Sequence, residues 1–177
     1  FITSFAEFSE NTDAIRKIGY VSFNRNAHET FPLQECKDST TANSLISTMK
    51  NSTQSILNTY NTTNGYSNNR WTNIEGGLKR GWDMLNSTDA ANKYLILLSD
   101  GYPTTYLNRT TDDLYDGYIP KTTNSKNVNS AEGIFANTPL QVPCWGTDYS
   151  DLGAIRTREM ATQIKNANID IMVVGTG

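Results

Sequence analysis

A chain of 177 residues is long enough for one domain with a sizeable core. Hydrophobic residues make up 37% of it, charged residues 19%, and the net charge is −3. That balance lacks the basic excess of a nucleic-acid binder, and no apolar run approaches the ~18 residues of a membrane span. The polar fraction is dominated by Asn, Thr and Ser, as in many exported proteins. Sequons begin at Asn51, Asn61, Asn86 and Asn108, but an Asn- and Thr-rich chain produces several by chance, and glycosylation needs a eukaryotic secretory source.

Phe1 to Glu10 places Phe1, Ile2, Phe5 and Phe8 near helical spacing and reads as the last turns of an amphipathic helix. A chain opening inside a helix is expected to be preceded by more sequence. Lys17 to Asn24 is a short apolar run of β-formers, hence a buried strand. A turn at Asn24-Arg25-Asn26 leads into a second, hairpin-paired strand over His28 to Gln34, which Pro32 assigns to a sheet edge. Thr40 to Tyr60 has helical spacing of Leu45, Ile46, Met49, Ile56 and Leu57. After a polar loop, Thr72 opens another helix, running to about Asn86 with Ile74, Leu78, Trp82 and Leu85 on one stripe. Thr72 and Glu75 have the T-x-x-E spacing of a capping box.

Lys93 to Ser99 is the most apolar segment and reads as a central parallel strand. Residues 101–150 show no sustained period, and a stretch that long signals a functional insertion. Asp151 to Asn166 has a helical pattern, and Ile169 to Gly175 reads as a last buried strand. Alternating strands and helices predict an α/β fold: a doubly wound, mainly parallel sheet with one antiparallel edge strand.

In open α/β sheets, ligands bind beyond the carboxyl ends of the strands. Asp100 directly follows the strongest strand, and Thr72 starts the helix that leads into it, so both belong to one rim. A hydroxyl and a carboxylate beside a helix N-terminus suit a hard cation such as Mg²⁺, which takes an octahedral shell of oxygens and keeps several waters. Two protein ligands are too few, so further oxygens are expected nearby. The competing readings are a plain N-cap for Thr72 and a strand-end turn residue for Asp100.

The blocks RWTNIEGGLKRGWDML and YLILLSDGYPT, with KIGYVSFN before them and IDIMVVGTG after, resemble the von Willebrand factor type A domain in order and spacing. The resemblance covers nearly the whole chain, residues 1–177 as a single domain. It implies that family's Rossmann-like sheet, with residues 101–150 inserted after the central strand on the metal-bearing face. It also implies a metal-ion-dependent adhesion site, built from a D-x-S-x-S loop, a Thr and an Asp. Thr72 matches that Thr and Asp100 that Asp. The D-x-S-x-S loop is absent from these residues and is expected before Phe1, as the family's last helix and strand are expected after Gly177. The cofactor implied is Mg²⁺, with Mn²⁺ or Ca²⁺ as alternatives.

The resemblance further implies a non-enzymatic adhesion module of a bacterial, Gram-positive-type surface or pilus adhesin, extracellular, binding a protein or glycan such as a host extracellular-matrix component. No nucleic-acid partner and no membrane insertion by this segment are expected. Trp71, Tyr102, Tyr106, Tyr115, Tyr118 and Trp145 are the candidate ligand-binding aromatics, since such side chains suit recognition of proteins and sugars; packing of the insertion's own small core is the alternative. Cys36 and Cys144 form a disulfide or remain two thiols. The lone His28 reads as a solvated strand residue. Two rival functions remain. One is an intracellular scaffold subunit of an ATPase-driven complex. The other is a phosphatase-type hydrolase with Asp100 as nucleophile, against which stands Tyr102 where such enzymes carry a second acid.

Overall fold

The computed structural model describes residues 16–62, 72–99, 103, 105–108, 115, 117–118 and 148–175. The predicted helix over 1–10 lies outside them. The elements in order are β1 (Lys17–Phe23), β2 (Ala27–Glu35), α1 (Ser39–Thr62), α2 (Ile74–Asn86), β3 (Lys93–Ser99), β4 (Tyr106–Leu107), β5 (Gly117–Tyr118), α3 (Asp148–Asn166) and β6 (Ile169–Gly175).

β3 and β6 pair in parallel, from Lys93↔Ile169 to Ser99↔Gly175. Their apolar runs drive this pairing, because a parallel pair crossed by helices buries at least one continuous face. The inward residues Leu95, Leu97, Ile169 and Ile171 pack with Ile74 and Leu78 of α2 and Met160 and Ile164 of α3 into the main core. Of the opposite face, Tyr94, Leu98, Met172 and Val174 are exposed among the described residues.

β1 and β2 form the expected antiparallel hairpin, with register irregularities around Tyr20. Ile18, Tyr20, Phe31, Cys36, Ala42 and Leu45 make a second core, in which α1 covers one face of the hairpin. α2 covers the other face through the alternate residues. A Cβ at Gly77 would lie 2.6 Å from the Phe23 ring, and one at Gly19 would lie 2.6 Å from the Met84 methyl. The hairpin is thus wrapped on both faces, as a doubly wound fold requires. α2 therefore packs on both the β1–β2 and the β3–β6 sheets, although β1 and β3 do not hydrogen-bond to each other.

The helix after the insertion begins at Asp148, three residues before the start its apolar pattern marks. It ends in a turn where Asn168 takes φ 58°, a left-handed conformation that Asn tolerates. Cys36 follows the end of β2, at the pole away from the 24–26 turn, and is buried. Burial first, and then the Asp38 carboxylate, push its thiol pKa up, against the pull of Arg16. Cys144 lies outside the described residues.

Candidate functional site

The rim of interest is assembled around the first turn of α2. Asn73 is the N-cap, its Oδ1 accepting from the Gly76 N–H at 2.9 Å. This corrects the capping box expected from Thr72 and Glu75. Asn73 caps better because an Asx side chain reaches the third helical N–H directly. It also ties the helix to the hairpin: its N–H donates to the Asn24 carbonyl at 2.8 Å, and its Nδ2 donates to the Arg25 carbonyl at 2.8 Å. The residue is fully buried. Thr72 therefore stands one position before the cap and is half-buried, and the capping role that competed with metal binding belongs to its neighbour.

Glu75, released from the capping box, turns to a distant partner. Its carboxylate accepts from the Leu107 N–H at 2.8 Å. The carbonyl of the same Leu107 accepts from Arg156 Nη1 of α3 at 3.2 Å. The Arg156 guanidinium also lies over the Tyr106 ring, 4.5 Å from its centroid. Glu75 and Arg156 are each 1% exposed, so one residue of β4 is held at both its N–H and its carbonyl, by a buried carboxylate and a buried guanidinium. Charged partners make such hydrogen bonds stronger than neutral ones. Gly153 lets the chain approach α3 closely, since a Cβ there would come within 2.9 Å of the Pro103 carbonyl oxygen.

This clamp fixes the path of the chain after β3. β3 ends at Ser99, and by Thr105 the backbone is back at α2, with the Thr105 N–H donating to the Thr72 carbonyl at 3.5 Å. The turn after β1 and the segment returning from β3 therefore meet at the amino end of α2. Asp100, Trp71, Tyr102 and Trp145 lie outside the described residues, as does the side chain of Tyr118, whose backbone pairs with Tyr106.

Two of the candidate recognition aromatics have packing partners among the described residues. Tyr106 is 2% exposed beneath Arg156, which removes it from any docking surface. Tyr115 docks on α2: its hydroxyl donates to Asp83 Oδ2 at 2.8 Å, and the Arg80 guanidinium lies 4.2 Å from its ring centroid. Its carbonyl accepts from the Ala27 N–H at 3.3 Å. Burial, followed by the bond to Asp83, pushes the Tyr115 pKa above that of a free tyrosine. Both pack on helices of the scaffold rather than in a core of the insertion's own.

Among the described residues no three His, Cys, Asp or Glu side chains gather to hold a metal. The described oxygens at the rim include the hydroxyls of Thr72 and Thr105, hard donors of the kind Mg²⁺ accepts and softer metals avoid. The Thr105 hydroxyl is fully buried there and has no hydrogen-bond partner, an orphaned oxygen that a cation would satisfy. The donor chemistry present fits the ion.

An α/β sheet wrapped by helices, with its polar rim at the amino end of α2, is the architecture of a von Willebrand factor A-type domain, and comparison with solved structures bears out that fold. The chain is similar to the vWF domain of the type V pili tip protein Mfa5 from Porphyromonas gingivalis, with TM-score 0.52 and 19% identity, over 98% of this chain and 70% of that one. It is also similar to a structure of three N-terminal domains of the same protein, with TM-score 0.50 and 19% identity, over 98% of this chain and 36% of that one. No family model matches the chain, and no curated protein matches it.

Proposed function

We propose that this chain is a ligand-binding module of a cell-surface or pilus adhesin and carries part of a Mg²⁺-dependent adhesion site to which Thr72 and Asp100 contribute. The observation that carries the reading is the relocation of the helix cap to Asn73, which leaves Thr72 beside the segment returning from β3. The likeness to a pilus tip protein's vWF domain supports the adhesin context. Bound there, Mg²⁺ would offer an incompletely neutralised charge to an oxygen of a protein or glycan partner. This chain's part is to hold hydroxyl and carboxylate oxygens on a rigid rim. The same likeness to a pilus tip protein's vWF domain supports a non-enzymatic role.

The test is calorimetric titration of Mg²⁺ into the natural full-length protein. The wild type is expected to bind and Asp100→Ala to lose binding. Equal binding by the two refutes the role given to Asp100.

A further inference from the structure

The buried hydroxyl of Thr105 has no role in the packing described so far. Thr105 is fully buried, and its Oγ1 has no hydrogen-bond partner. Leaving a hydroxyl in that state costs about 1–3 kcal/mol of desolvation, so a fold that retains one needs a compensating use for it. Valine would fill the same space without that cost.

Position supplies the use. The Thr105 N–H donates to the Thr72 carbonyl, so the two threonines are backbone neighbours at the amino end of a 13-residue helix. Two residues on, Leu107 is held from both sides by Glu75 and Arg156. Threonine 105 is therefore pinned next to Thr72 by buried charges on two different helices, a placement far stiffer than that of a loop residue.

We propose that Thr105 is a further member of the Mg²⁺ site, its buried hydroxyl serving the cation's oxygen shell beside Thr72. The proposal rests on the Mg²⁺ reading above. It adds a donor that no feature of the bare sequence distinguishes from the chain's many other threonines. Glu75 and Arg156 act through Leu107 as positioning residues for it.

The test uses Thr105→Val and Thr105→Ser in the natural full-length protein, with two readouts: thermal stability without metal, and Mg²⁺ affinity by calorimetry. Thr105→Val is expected to unfold at the same or a higher temperature without metal, because the unpartnered hydroxyl is gone. It is expected to bind Mg²⁺ about tenfold more weakly, the usual effect of losing a supporting oxygen, and to gain less thermal stability from saturating Mg²⁺ than the wild type gains. Thr105→Ser restores the affinity. A packing residue would move both readouts in the same direction and would not be rescued by serine. If Thr105→Val binds Mg²⁺ as tightly as the wild type while Asp100→Ala does not bind, the Thr105 proposal is overturned and the site reading stands. If the wild type itself binds no Mg²⁺, both fall together.

Discussion

Glu75 is the residue on which two readings of this chain diverge. As a local feature it completes a T-x-x-E capping box; in the fold it is a buried anion bonded to Leu107. The energetic consequence is larger than a cap's. Glu75→Leu strands the buried Leu107 N–H, so a loss of about 1–3 kcal/mol is expected. Glu75→Gln keeps an acceptor oxygen and should cost clearly less. Urea denaturation of both variants reads the difference, and equal losses would contradict the bond. Tyr115 gives a pH-dependent counterpart. Its folded pKa is raised, so the neutral phenol is the form the fold prefers. Its contribution is complete below the unfolded tyrosine pKa of about 10 and is lost as pH rises through the higher folded value. Spectrophotometric titration of phenolate should show a late-ionising tyrosine in the wild type that Tyr115→Phe lacks.

At the level of elements, strands and helices were readable because each obeys one period. β3 and β6 have the limits that their apolar runs mark, and β1, β2, α1 and α2 deviate by no more than two residues at their ends. What could not be read were contacts between elements. The cap went to Asn73 because a side chain that bonds both the helix and the hairpin turn outcompetes one that bonds the helix alone. Arg156 did leave a trace: it shares one helical stripe with Met160 and Ile164, both buried, and an arginine on an apolar stripe signals a buried partner. Thr105 left none. Gly77 shows how an element contact can reverse a local preference. Alanine is better than glycine in a helix by roughly 1 kcal/mol, yet a Cβ at position 77 would meet the Phe23 ring at 2.6 Å, and overpacking costs typically 1–3 kcal/mol. Gly77→Ala is therefore expected to destabilise, by about 1 kcal/mol net, and Phe23→Leu to reduce the penalty of the alanine in a double-mutant cycle.

For the molecule as a whole, the pairing of β3 with β6 sets the order in which structure can form. Lys93 is matched to Ile169, 76 positions later (169 − 93), whereas the β1–β2 hairpin closes across a three-residue turn. The hairpin and the helices beside it can form early, while the parallel pair must wait for a long loop to close. Loop-closure cost grows only with the logarithm of length: doubling the intervening chain adds about 0.6 kcal/mol, which is about threefold in the closing rate. A flexible insert of that size between positions 121 and 147 should therefore slow refolding by about threefold in stopped-flow measurements and leave the unfolding rate unchanged. Seen in evolutionary terms, the end of β5 and the start of α3 bracket a stretch whose length costs the scaffold little. Sequence between those two anchors can be exchanged between lineages at small thermodynamic cost, while Thr72 and Thr105 stay where the buried charges hold them.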